Sequence, residues 1–206
     1  MPELEAIKRR QGKAADQARA STTDAQATVM KMGDGGFRPA YNPQLASDVD
    51  SLVIVGVEVA TVGSDQGQMV PMIEQVRERC GQAPEAWLVD GGYVGHEQVE
   101  QASAHTTVYG PVPASKDKAV DPHQPKPDDR PGVAAWRARM GTDEAKAIYK
   151  NRAATAECVN AQSRNRGLQQ FRVRGLAKVK CVVLFFALAH NLMRMASLAP
   201  EMLALG

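Results

Sequence analysis

Two carboxylates stand out by type and setting. Asp90 closes a short apolar run, Ala86 to Val89, and is followed by Gly91, Gly92 and Tyr93. That spacing puts an acid at the C-terminal edge of a strand, where α/β folds favour ligand sites and where glycines let other groups approach the backbone. Glu157 sits in a helical stretch beside Thr155, Ala156 and Cys158, a setting less charged than a solvated helix face usually offers. Each has a plainer reading. Asp-Gly is a common turn signal, and a mid-helix Glu is commonly a surface residue.

Around Glu157 runs the pattern Tyr149-x2-Arg152-x4-Glu157-x6-Arg164, which leads into a basic series of Arg164, Arg166, Arg172, Arg174, Lys178 and Lys180. Net charge is only +2, but it is unevenly spread: residues 158–206 carry +6 and residues 1–157 carry −4. A basic tail on a nearly neutral body points to a polyanion, because Lys and Arg contact phosphates and release counterions without reading sequence. The alternative is a solvated, charged turn before a buried helix. Tyr93 and Tyr149 either pack or stack near such a site. His96, His105, His123 and His190 show no metal spacing, and Cys80, Cys158 and Cys181 suggest neither a disulfide framework nor a zinc site.

The elements that must position these residues follow from pattern. Residues 3–19 are helix-compatible with little to bury, and residues 20–40 carry loop chemistry. Tyr41–Ser47 and Leu52–Ala60 read as an antiparallel hairpin. A helix is expected from a Ser64 cap over 65–80, ending at Gly81, then a strand at 86–89, a helix at 96–105 and a strand at 107–112. The prolines of residues 113–132 favour an exposed connection. A short helix around Trp136 precedes a longer one from a Thr142 cap to Arg166. Phe171–Arg174 reads as a short strand or turn, and Leu176–Leu198 as a helix apolar nearly all round and therefore buried. The composition, 44% hydrophobic and 23% charged, is that of a globular protein, and 5% aromatic residues make a poor stacking platform for single strands. The longest uncharged apolar stretch, Cys181–Ala189, is short for a membrane span, and no signal peptide is visible, so a cytoplasmic, nucleoid-associated protein is expected.

Taken together, Asp-Gly-Gly-Tyr at 90–93, the Tyr, Arg, Glu, Arg signature and the segments NRGLQQFRVRG and LAHNLMR resemble the insertion-sequence transposases of the DDE type, over about Ser21–Leu198. The resemblance implies an α/β fold, a ribonuclease H-like mixed sheet flanked by helices, occupying residues 41–200 after a lead-in at 1–40. It also implies that Asp90 and Glu157 are catalytic and bind Mg²⁺ or Mn²⁺. Tyr149, Arg152 and the basic series would contact double-stranded DNA, both transposon ends and target, and the intact protein would be a homodimer.

Two departures matter. Four residues separate Arg152 from Glu157 where the family signature has three, which sets them about 140° apart on an ideal helix. Glu157 and Arg164, seven apart, share a face, with Arg in place of the usual Lys. Only two strands are expected before the first helix where the fold has three, so the first strand and its carboxylate are expected to precede residue 1. Asp48, Asp24 and Asp65 are the alternatives within the chain. An isolated chain with two of three carboxylates is expected to be a poor enzyme. An inactive DNA-binding remnant that inhibits transposition is the second reading, and a cellular nuclease of the same fold the third.

Overall fold

A computed structural model describes residues 21–202, so the helix expected at 3–19 lies outside the described residues. The strands are β1 (Thr28–Lys31), β2 (Phe37–Ala40), β3 (Asn42–Ser47), β4 (Ile54–Ala60), β5 (Ala86–Leu88) and β6 (Thr107–Tyr109). The α-helices are α1 (Met69–Cys80), α2 (His96–Ser103), α3 (Pro131–Met140), α4 (Asp143–Arg152), α5 (Cys158–Asn165) and α6 (Leu176–Leu198); a π turn, Ala153–Glu157, joins α4 to α5. The strands pair in twos: β1 with β2, β3 with β4, β5 with β6. The chain is thus mixed α/β, as expected.

The chain divides into two compact units. One holds the residues up to Leu45 together with Val57–Gly63 and the chain from Ser163 onward; the other holds Ala46–Gly56 and Ser64–Gln162.

In the second unit, β5 and β6 run parallel with Ala86 opposite Thr107 and Leu88 opposite Tyr109, and α2 is the crossover that parallel pairing requires. The core beneath them is Met69, Ile73, Val89, Val99, Val108, Val133, Trp136 and Met140. α1 contributes Met69, Met72, Ile73 and Val76, the spacing of one helical stripe, and ends at Gly81 with φ 75°. Its start differs from expectation. Ser64 Oγ accepts from Gln66 N in a turn, and the chain then passes through Gly67 at φ 84°, so the helix begins four residues later than expected. Trp136 is fully buried and donates Nε1–H to Gly110 O at 3.1 Å. Gly110 admits no side chain, since a Cβ there would lie 2.9 Å from Val94 Cγ2 and 3.0 Å from Val89 Cγ2.

Residues 113–130 of the proline-rich connection form no helix or strand, its last two residues, Pro131 and Gly132, open α3, and its C-terminal part is held rather than solvated. Arg137 of α3 donates to Pro122 O at 3.1 Å and lies 3.0 Å from His96 Nε2. Its Nε is 2.8 Å from Asp129 Oδ2, an ion pair by proximity although the N–H is not aligned for a hydrogen bond.

In the first unit, the expected loop at 20–40 is instead a hairpin: β1 and β2 pair antiparallel from Thr28 opposite Ala40 to Lys31 opposite Phe37. The glycine-rich segment is its turn, with Gly35 at φ 81° and Met32 N donating to Gly36 O. Among the described residues, four strands therefore precede α1 rather than two. Asp24 ties the hairpin to the far end of the sequence, accepting from the Tyr41 hydroxyl at 2.9 Å and from Gly175 N at 2.9 Å, while Gln26 Oε1 accepts from Leu176 N.

α6 also departs from expectation. Val179, Val183, Ala187 and His190 are buried, but Phe185, Leu188 and Leu192 are 71%, 54% and 50% exposed. One stripe packs and the opposite stripe is open, because a helix within a unit this size finds neighbours on one side only. At 23 residues it is long and apolar enough to cross a membrane by length and composition. Its charged residues Lys178, Lys180 and Arg194 fall toward its ends.

Candidate functional site

Asp90 lies two residues beyond the end of β5. Val89 N continues the ladder to Tyr109 O at 2.9 Å, and the chain then turns, with Tyr93 N donating to Asp90 O at 3.2 Å. The Asp90 side chain closes the turn, its Oδ1 accepting from Gly92 N at 2.9 Å. The turn reading of Asp-Gly therefore describes this residue. The second carboxylate oxygen faces α4, where Arg152 Nη2 donates to Asp90 Oδ2 at 3.2 Å. The pair is partly open, with side-chain exposures of 25% for Arg152 and 42% for Asp90.

Tyr149 is one helical turn before Arg152 and so on the same face. Burial raises its hydroxyl pKa, the Arg152 cation pulls it down, and the Asp90 charge adds to the rise. Tyr149, Arg152 and Asp90 form one electrostatic group. α4 is aimed by its cap, since Thr142 Oγ1 accepts from Ala145 N at 3.2 Å as its sequence position predicts.

The spacing between Arg152 and Glu157 has a structural answer. The five residues Ala153–Glu157 form a π turn, whose hydrogen bonds close five residues apart instead of four. One extra residue is thus absorbed, and two positions that a continuous α-helix would put on different sides return toward one side. Thr155 makes the turn tenable: its buried hydroxyl donates to Asn151 O at 2.9 Å, with Arg152 O at 3.2 Å, where widening weakens the main-chain ladder. The signal was in the sequence, as a spacing one residue too long. Glu157 itself is exposed.

The three alternatives for a first carboxylate separate clearly. Asp48 Oδ1 accepts from Ser51 N and Oγ at 2.8 and 2.6 Å; the Ser51 hydroxyl and N–H hold its pKa below the usual range, and it serves the hairpin turn. Asp24 is engaged with Tyr41 and Gly175. Asp65 borders Asp90: a Cβ on Gly92 would lie 3.1 Å from Asp90 Oδ1 and 3.2 Å from Asp65 Oδ2. No sequence spacing revealed this, because the two lie 25 positions apart with α1 between them.

These residues do not, as arranged, fit a divalent ion. No group of three or more His, Cys, Asp and Glu among the described residues could hold a metal. Asp90 is also already bound by a guanidinium.

Of the basic series, in the other unit, Arg164, Arg166, Arg172, Arg174 and Lys178 are exposed. Lys180 is withdrawn, its Nζ 2.8 Å from Glu58 Oε2, and Arg166 Nη1 approaches His190 Nδ1 at 3.4 Å.

Residues 125–196 match the family model described as transposase DDE domain. The match supports a DDE-type transposase, and it spans Tyr149, Arg152, Glu157 and the whole basic series. Comparisons with the curated proteins and with the solved structures gave no match.

Proposed function

We propose that this chain is the DNA-handling part of a transposase, with metal-dependent phosphodiester cleavage and strand transfer belonging to the intact protein. The observation that carries the reading is the contact from Arg152, inside the matched transposase segment, to Asp90, outside it. Two residues singled out in the sequence are thereby in contact, and both act electrostatically on Tyr149. Asp90 and Glu157 are its candidate carboxylates for Mg²⁺ or Mn²⁺, completed by a further acid. The basic series supplies phosphate contacts to double-stranded DNA at transposon ends and target. The setting is cytoplasmic, at the nucleoid, with a homodimer as the working assembly.

A second reading, a DNA-binding remnant without activity, is favoured by the absence of a three-acid cluster among the described residues. One experiment separates the two from each other and from a protein that ignores DNA. Binding of labelled duplex DNA should weaken roughly a hundredfold between about 50 and 200 mM salt if some four phosphates are contacted. Replacing Arg164, Arg172 and Arg174 by Gln should flatten that dependence. Mn²⁺-dependent nicking lost in Asp90→Asn and Glu157→Gln supports the transposase reading, and binding without nicking supports the remnant. Absence of salt-dependent binding overturns both.

A further inference from the structure

One face of α6 is left over from the packing of its own unit. Lys178, Cys181, Phe185, Leu188 and Leu192 are all exposed and recur at intervals of three and four residues. That alternation is the seam by which one helix packs on another. Leu184 and Met193, also exposed, flank it. The opposite stripe, with Val179, Val183, Ala187 and His190 buried, anchors the helix to its unit, so lipid cannot surround it without unpacking that unit. The chain also holds little with which to cover the seam. Residues 1–20 and 203–206 bring only Met1, Leu4, Ile7, Leu203 and Leu205 as large apolar side chains, divided between the two ends.

The seam matches itself. Turned antiparallel about the point between Leu188 and Ala189, a second copy sets Phe185 against Leu192, Leu184 against Met193, and Leu188 against the smaller Ala189. A two-fold axis makes every such contact twice, as a closed dimer requires. Charge selects the same orientation. Antiparallel pairing carries the exposed Lys178 of each copy to the C-terminal end of the other α6, where a helix is partly negative and the exposed Glu201 follows. Parallel pairing would set Lys178 beside Lys178. Leu184, Phe185, Leu188, Leu192 and Met193 are 39%, 71%, 54%, 50% and 40% exposed. At roughly 100 Å² each, they bury about 1,000 Å² in the pair, the lower limit of a specific interface.

We propose that α6 is a dimerisation helix, pairing antiparallel with α6 of a second copy of this chain. The pairing rests on the homodimer of the functional reading above and names its face, independently of how DNA is bound. An interface of this size dissociates on dilution. In dilute chain the stripe is bare, and Phe185 contributes to pairing rather than to the fold of the monomer.

The test is the mass of the whole chain by sedimentation equilibrium over a range of concentrations. The parent should rise from the mass of one chain to that of two. Phe185→Glu, folded by circular dichroism, should dissociate at least roughly tenfold more readily. Phe185→Leu should pair nearly as well as the parent, and Phe37→Glu, at an aromatic 70% exposed on β2, should leave pairing unchanged. Oxidation reads the orientation. Antiparallel pairing sets Cys181 against Ala196, so Ala196→Cys should give a disulfide-linked dimer that is lost when Cys181→Ser is added. A parent dimer linked through Cys181 itself would overturn the antiparallel arrangement. A dimer that survives both Phe185→Glu and Leu188→Glu leaves the homodimer standing and removes α6 from it. A parent that is monomeric at every concentration overturns the helix pairing and the homodimer together. If that monomer also pellets with vesicles of phosphatidylcholine and phosphatidylglycerol, the stripe belongs to a lipid surface and not to a second copy.

Discussion

Asp65 and Asp90 flank Gly92, each with a carboxylate oxygen within 3.2 Å of the point where a Gly92 side chain would begin. Two acids 25 positions apart are brought to one spot by α1 and by the turn after β5. Gly92→Ala would force one or both carboxylates back by a few tenths of an ångström. Gly92 is exposed and does not have a left-handed φ, so stability should change little, within about 0.5 kcal/mol. Under the proposed reading of Asp90 as a carboxylate for Mn²⁺, the affinity for that ion should change measurably. A Gly92→Ala chain with altered unfolding and unaltered Mn²⁺ binding would separate this turn from the site.

Thr155 should carry the π turn. Thr155→Val keeps the shape and removes the hydroxyl from Asn151 O and Arg152 O. The expected cost is about 1 kcal/mol, read as a fall of roughly 2–4 °C in the thermal midpoint. Thr155→Ser should restore most of it. Equal midpoints for all three chains would show that the turn does not depend on this hydroxyl.

Acid should weaken the first unit partly through Asp24. Burial raises its pKa, but hydrogen bonds from Gly175 N–H, the Tyr41 hydroxyl and the N–H groups of Gln26 and Ala27 outweigh that and hold it below the ordinary value. A carboxylate depressed on folding stabilises fully above its unfolded pKa, about 3.9, and loses that contribution as pH falls through the lower folded value. Asp24→Asn should therefore cost about 1 kcal/mol at neutral pH, with the difference from the parent closing below about pH 4. Urea unfolding at pH 7 and at pH 3 gives the comparison; a gap that widens in acid would contradict it.

The two sides of α6 should respond differently. Val183 is fully buried and Phe185, two residues on, is 71% exposed. Val183→Ala should cost about 2 kcal/mol, whereas Phe185→Ser should stay within about 0.5 kcal/mol. Equal costs in urea unfolding would mean that Phe185 is covered in solution.

Much of this arrangement was legible along the chain. Gly81 and Thr142 mark their helix ends because a left-handed cap and a hydroxyl acceptor act within a few residues. α6 has the expected limits, Leu176 and Leu198, because a long apolar helix is a strong local pattern. Asp90 and Arg152, both singled out along the chain, meet in an ion pair. Less was legible where the determinant was short or distant. The four-residue strands β1 and β2 hid within turn chemistry, because alternation over so few residues is indistinguishable from a loop.

By itself, the sequence determined which side chains could do chemistry and on what kind of element each would sit, since those are matters of residue type and local backbone preference. Only the tertiary structure decided that Arg152 rests on Asp90 across 62 positions, that Asp65 and Asp90 both border Gly92, and that α6 packs on one stripe. Those outcomes depend on which surfaces meet when the chain closes on itself, and no local preference encodes that.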